Sequence, residues 1–393
     1  MSLNQTPSAD RVHIGIFGRR NAGKSSLINA ITNQNIAVVS DVLGTTTDPV
    51  YKAMELLPLG PVMIIDTPGL DDTGELGQLR VKKANQVINK TDIALVVIDS
   101  QKGKTALEED LISRLNNKKI PYIVVYNKSD LEDFNIVDGE ISVSSVTGKN
   151  IDRLKEMIAQ KAVKPLAEFP ILSDLIERGD GVILVTPIDE SAPKGRIILP
   201  QQQTIREILD SNATAIVCQV GELEGILNNL KTPPKMVVTD SQAFGAVSKI
   251  VPENIPLTSF SILMARHKGE LSHQLEGAKT LDNIKDGDKI LISEGCTHHR
   301  QCGDIGTVKL PAFIRKYTKA DVSFEFTSGT EFPEDLSAYK LIIHCGGCML
   351  NEREMKYRIQ TSKDQNIPIT NYGMIIAKTT GILDRSIEIF KRL

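Results

Sequence analysis

One stretch constrains the fold more than any other. Residues 18–26 read GRRNAGKSS, directly after the apolar run VHIGIF and directly before the helical pattern LINAI. A strand, a glycine-rich turn and a helix in that order fit G-x-x-x-x-G-K-S from Gly18 to Ser25. Such a turn wraps backbone N–H groups around phosphate oxygens at a helix N-terminus, where the helix dipole favours anions. Lys24 is placed to reach β- and γ-phosphates, the Ser25 hydroxyl to ligate Mg²⁺, and Gly18, Gly23 and Ser26 to shape the cradle.

The rest of residues 10–160 agrees. RVHIGIFG, PVMIIDTPG, DIALVVIDS, IPYIVVYNKSD and GEISVSS are short continuous apolar runs, as buried parallel strands read, with helical patterns such as LEEDLISRLNNK between them. The expected fold class is α/β: a P-loop domain with a doubly wound, mostly parallel sheet, then two smaller α/β domains. The expected divisions are 1–170, 171–263 and 264–393. No internal repeat stands out. The second unit, with runs VILVTPI and AIVCQV, is small, and its strand edges invite a second copy as much as its own neighbours. In the third unit DKILIS, DVSFEFT, YKLIIHC and NYGMIIA read as strands.

Further polar groups stand at strand ends. DTPG at 66–69 puts Asp66 toward Mg²⁺ through water and Gly69 N–H toward a γ-phosphate. NKSD at 127–130 supplies Asn127 and Asp130 as acceptors, with Lys128 to stack on a base. Asp130 suits the N1–H and N2–H₂ donors of guanine. Ser144 and Ser145 can support O6. Four such motifs in order select guanine as base and GTP/GDP as ligand.

Composition excludes other classes. The 393 residues are 41% hydrophobic and 24% charged with net charge −3, which offers no global attraction to nucleic acid or anionic membrane. No apolar run approaches the roughly 20 residues a membrane span needs. The N-terminus shows no hydrophobic leader, so a cytoplasmic protein is expected.

Five cysteines, Cys218, Cys296, Cys302, Cys345 and Cys348, are an odd count that suits metal or redox work more than paired disulfides. HCGGC at 344–348 follows an apolar run, and EGCTHHRQC at 294–302 follows another. Two parallel strands would bring both groups to carboxyl ends. A thioredoxin-like dithiol and a structural zinc site use the same residue types. Three thiolates, Cys296, Cys345 and Cys348, suit an iron–sulfur cluster, with His298 and His344 either ligating iron or hydrogen-bonding sulfide. Cys302 is a further donor or a bystander, and Cys218 reads as a small apolar residue.

The first third resembles the Era and TrmE branch of the translation-factor-like GTPases, with GTTTD at 44–48 matching that branch's switch I. The resemblance implies that Thr46 binds Mg²⁺, although Thr45 and Thr47 adjoin it. It implies that Asn21 coordinates K⁺ as a catalytic substitute beside Lys24. Leu70 stands where Ras-like enzymes keep a water-orienting glutamine, so slow, K⁺-stimulated hydrolysis is expected.

The whole chain, with CTH at 296–298 and HCGGC at 344–348, resembles the maturation GTPases of FeFe-hydrogenase. That resemblance implies a 4Fe–4S cluster on the three cysteines and a middle domain that forms a homodimer. It implies a scaffold or carrier that takes a diiron precursor from radical-SAM maturases and delivers it to apo FeFe-hydrogenase. An Era- or TrmE-like RNA-associated GTPase with a structural metal site is the alternative, and the mild acidity and 4% aromatic content argue against it.

Overall fold

The computed structural model describes residues 6–33, 49–71, 74–132, 136–137, 139–162, 169–188, 197–295, 304–329, 331–347 and 349–392. Thr46, Cys296, His298 and Cys348 lie outside the described residues, as do Cys302 and the neighbours of Thr46. The chain forms two compact units, Met1–Leu166 and Ala167–Leu393.

In the first unit β1 (Val12–Phe17), α1 (Lys24–Thr32), β2 (Val50–Leu56), β3 (Gly60–Asp66) and α2 (Gly74–Ile88) are followed by β4 (Ile93–Asp99) and α3 (Ala106–Asn117). β5 (Tyr122–Asn127), β6 (Glu140–Ser142) and α4 (Ile151–Lys161) complete it. The sheet runs β2-β3-β1-β4-β5-β6. Every pairing is parallel except β2 on β3. Every residue of β1 and β4 is buried, because apolar clusters cover both faces of the sheet. β2 was not legible as a strand: its residues are mostly exposed or half-buried, so no apolar run marks it.

The second unit holds β7 (Gly181–Val185), α5 (Leu199–Asp210), β8 (Thr214–Cys218), α6 (Leu223–Asn229), β9 (Met236–Thr239), α7 (Phe244–Ile250), β10 (Leu257–Ser259), α8 (Phe260–Lys268) and α9 (Leu271–Lys279). β11 (Lys289–Ser293), α10 (Leu310–Thr318), β12 (Ser323–Thr327), β13 (Leu341–His344), α11 (Glu352–Asp364), β14 (Ile369–Asn371), α12 (Tyr372–Thr379) and α13 (Leu383–Ile387) follow. Two all-parallel sheets result, β10-β9-β7-β8 and β12-β11-β13-β14. They share one core, in which Ile183, Val237 and Ala265 pack with Ile290, Ile343 and Met374. α8 continues through Met264, so the expected division at 263/264 falls inside a helix.

The two sheets are the same unit built twice, contrary to the expectation of no internal repeat. In its own chain order each sheet reads 2-1-3-4. The connecting hydrogen bonds repeat: Thr214 N–H to Asp180 O and Ser323 N–H to Asp288 O, then Lys235 N–H to Gly181 O and Lys340 N–H to Lys289 O. Val237 N–H bonds Pro256 O as Ile342 N–H bonds Pro368 O, each at 2.9 Å. NIPLTSFSILMARHKG at 254–269 superimposes in role on NIPITNYGMIIAKTTG at 366–381. The repeat is hard to see in sequence because its offset changes from strand to strand. Gly181 matches Lys289, but Lys235 matches Lys340 and Leu257 matches Ile369.

NYGMIIA is not a strand. Asn371 caps a helix there, its Oδ1 accepting Met374 N–H at 2.9 Å, and Ser259 caps α8 in the same way. Tyr372 through Ala377 are all buried, so this helix has no polar face to betray its period. β8 is an edge strand, and Val217 on it is exposed.

Candidate nucleotide site and thiol site

The turn after β1 admits no side chain at two places. A Cβ on Gly18 would stand 2.2 Å from Val97 O, and one on Gly23 2.2 Å from Asn127 Nδ2. Asn21 adopts φ 60°, a left-handed conformation that asparagine tolerates. Lys24 is buried, and its Nζ donates to Gly18 O and Arg19 O, both at 2.9 Å. The ammonium therefore lies on the concave side of the loop. Ser26 sits half-buried on the first turn of α1.

Two residues expected around Mg²⁺ already touch. Ser25 Oγ donates to Asp66 Oδ2 at 3.1 Å. Burial pushes the Asp66 carboxyl up, opposed by Lys24 and Ser25. Its carboxylate thus gains from any cation placed beside it. Gly69 packs against Arg20, and Arg20 N–H donates to Asp71 Oδ1 at 2.7 Å, joining the turn to the DTPG segment.

The base side is a braced loop. Asn127 Nδ2 donates to Ala22 O at 3.2 Å, while its Oδ1 accepts from Ser145 N–H and Oγ at 3.2 and 2.8 Å. Asn127 thereby ties the phosphate turn to the segment after β6. Ser144 Oγ donates to Asp130 Oδ1 at 2.6 Å, which aims an exposed carboxylate. Lys128 Nζ is held by Asp99 Oδ2 at 2.7 Å, and Ser100 Oγ donates to Lys128 O at 3.0 Å. Asp99 and Ser100 were missed in the sequence, although they too end an apolar run. Arg19 donates to the buried Glu108 at 2.8 Å, a link across many residues that no motif announces.

The thiol site lies at the carboxyl ends of β11 and β13. Ser293 pairs with His344, and Cys345 N–H continues the ladder to Ser293 O at 3.1 Å. Cys345 Sγ accepts Gly295 N–H at 3.0 Å and Gly347 N–H at 3.4 Å. Cys345 is thus brought beside the residue that precedes Cys296. His344 is buried. Its Nδ1 faces Cys345 O at 2.7 Å and its Nε2 faces Arg358 Nη1 at 2.9 Å. A guanidinium only donates, so Nε2 accepts and Nδ1–H donates. Burial, then the Arg358 charge, pulls the imidazole down to about 3.

Lys268 and Tyr372 also border this site, and no motif announced either. Lys268 Nζ, buried, donates to Gly347 O and Leu350 O at 3.4 and 3.1 Å. Tyr372 Oη donates to the buried Glu294 at 3.3 Å. Burial, then the nearby Cys345, raises that phenol well above its ordinary range. Cys218 ends β8 half-buried, its thiol pushed up by burial. Among the described residues no three such ligand side chains stand together, and three of the five expected ligands lie outside them. Nor, among the described residues, is any helix long and apolar enough to cross a membrane.

Comparison with known proteins bears on the family of the chain. The tRNA modification GTPase MnmE of Laribacter hongkongensis is 31% identical over 159 residues, 38% of this chain and 34% of that protein. GTPase Der of Wolinella succinogenes is 33% identical over 174 residues, 40% of this chain and 36% of that protein. The chain spans about a third of the length of these curated relatives. Among solved structures, Era of Aquifex aeolicus bound to GDP and aluminium fluoride is 20% identical with a TM-score of 0.36, covering 52% of this chain and 91% of that one. Residues 13–128 match the 50S ribosome-binding GTPase family, residues 171–269 the hydrogen maturase F dimerization domain, and residues 272–389 the hydrogen maturase F tetramerization domain. The last two between them span more than half of the chain, and with its N-terminal GTPase domain the chain belongs to the hydrogen maturase F family.

Proposed function

We propose that this protein is a GTP-binding and GTP-hydrolysing carrier. It holds a 4Fe–4S cluster in its last domain and delivers a diiron precursor, made by radical-SAM maturases, to apo FeFe-hydrogenase. The observation that carries the reading is the setting of Cys345. Its sulfur accepts two backbone N–H groups where β11 and β13 end, next to Gly295 and so to Cys296. Backbone donors of this kind favour the thiolate, the form that binds iron. The donor set fits the cluster: Cys296, Cys345 and Cys348 supply three thiolates, and His298 stands two residues after Cys296 in the sequence. When bound, the cluster would supply an iron site at which cargo can be held.

In the first unit Lys24 would contact the β- and γ-phosphates, and Ser25, Thr46 and, through water, Asp66 would hold Mg²⁺. Asp130 reads guanine, with Lys128 over the base and Ser144 and Ser145 supporting O6. Asn127 contributes chiefly as the brace already described. The first unit serves nucleotide binding, and within the second unit the segment matched at 171–269 serves self-association and the segment matched at 272–389 cluster binding. The exposed edge of β8 suits pairing with a second copy, as the family's dimerization and tetramerization descriptions suggest.

The test is anaerobic iron–sulfur reconstitution of the wild type and Cys345→Ala, with iron and sulfide counted and EPR of the reduced protein. The wild type is expected to take up iron and sulfide and give a cubane signal that the variant loses. Zinc retained with no iron uptake would sink the reading. With Asn21 on K⁺, GTP hydrolysis is expected to run at least about tenfold faster in KCl than in NaCl. Asn21→Ala should abolish the difference, and equal rates in both salts for the wild type would remove K⁺ from the mechanism.

A further inference from the structure

Because the second unit contains one fold twice, its first copy serves as an internal control for the copy that carries the thiols. Equivalent positions follow from equivalent hydrogen bonds. Cys345 N–H bonds Ser293 O where Asp240 N–H bonds Val185 O, so Ser293 matches Val185, His344 matches Thr239 and Cys345 matches Asp240. The copies differ sharply beneath these strand ends. α7 buries Phe244 and Val247, an apolar face. α11, in the same place in the other copy, buries Glu354, Arg358 and Ser362 among its apolar residues.

Arg358 is fully buried and engages all three of its guanidinium nitrogens. Nε donates to Glu354 Oε1 at 2.9 Å, and Nη1 to Ser293 Oγ at 3.0 Å and His344 Nε2 at 2.9 Å. Nη2 donates to Gly329 O at 2.7 Å. One side chain thus fastens the carboxyl ends of β11 and β13 to the segment after β12. The first copy folds with Val185 and Thr239 at the corresponding strand ends, so the fold as such does not demand this network. A buried ion pair is a poor way to stabilise a core, since desolvation consumes most of its attraction. The bond from His344 Nδ1 to Cys345 O is also not peculiar to histidine, because Thr239 Oγ1 bonds Asp240 O at 3.3 Å. What histidine adds is the second nitrogen, and that nitrogen faces Arg358.

We propose that Arg358 is a positioning residue for the thiol site: it holds the two strand ends in register beneath Cys345 and keeps His344 as a strut, with both ring nitrogens engaged, outside the ligand set. The inference rests on the reading of Cys345 as a cluster ligand, but its primary readout does not need the cluster.

The experiment uses the full-length apo protein. The rate of Cys345 carbamidomethylation is followed by peptide mass spectrometry, well below the melting temperature. Three proteins are compared: the wild type, Arg358→Lys, and the double variant Glu354→Met with Arg358→Met, which gives α11 an apolar face like that of α7. The double variant is expected to fold and melt cooperatively well above the assay temperature, somewhat below wild type because Gly329 O and His344 Nε2 lose their donor, while Cys345 reacts at least threefold faster. Arg358→Lys keeps a positive charge beside Glu354 but not the fork, and is expected to react as fast as the double variant, the slow wild-type rate not being restored. After reconstitution, the reduced-state EPR g-values of both variants should be displaced from wild type. A double variant that fails to fold, or that folds and reacts at the wild-type rate, overturns the proposal. Faster alkylation in a protein whose wild type takes up no iron would instead reject the cluster reading and leave the positioning role standing.

Discussion

Exchanging Asp130 for asparagine is expected to weaken GDP and GTP binding by about a hundred- to ten-thousandfold and to create affinity for xanthine nucleotides. Ser144 Oγ holds one carboxylate oxygen of Asp130 at 2.6 Å, so the group is aimed before a ligand arrives. Guanine offers N1–H and N2–H₂ to that carboxylate. Each charge-assisted bond is worth about 1.5–3 kcal/mol, and two of them account for the loss, at about 1.4 kcal/mol per tenfold. Asparagine presents an amide N–H₂ in place of one acceptor, which matches the O2 of xanthine and opposes the N2–H₂ of guanine. Calorimetric titration with GDP and XDP decides it. An unchanged preference for GDP would mean that Asp130 does not read the base.

Replacing Lys24 by alanine is expected to lower GTP affinity at least about a hundredfold and to remove measurable hydrolysis. Lys24 Nζ donates to two main-chain oxygens of its own turn, Gly18 O and Arg19 O, which hold the ammonium on the concave side of the loop. Its charge therefore stands where phosphate oxygens are expected, with α1 behind it contributing its positive end. Far-UV circular dichroism should be unchanged, because the apolar clusters of the first unit do not include Lys24. GTP binding at wild-type strength would remove the lysine from the site.

Much of this was legible because the chemistry is local. The turn from Gly18 to Ser25 needs only neighbours in sequence, and the ends of β3, β4 and β5 carry DTPG, Asp99 and NKSD at the edge where parallel strands deliver side chains. The buried strands announced themselves as apolar runs. β2 did not, since an exposed edge strand has no such run. α12 was mistaken for a strand because burial on all sides erases a helical period. β10, with three residues, is too short to separate from the helix that follows.

The sequence by itself determined a guanine-nucleotide turn, an α/β chain and two groups of soft ligands in the last third. Each is a pattern of adjacent residues, and adjacency is all a sequence displays. Only the tertiary structure decided that one four-stranded unit is built twice, because equivalence there lies in hydrogen-bond register while the loops between strands vary in length. Only it decided that Arg358, Ser293, His344 and Glu354 form one buried network. Those residues come from β11, β13 and α11, and no propensity or spacing encodes their meeting. It follows from the parallel pairing of β11 with β13 and from the packing of α11 against them.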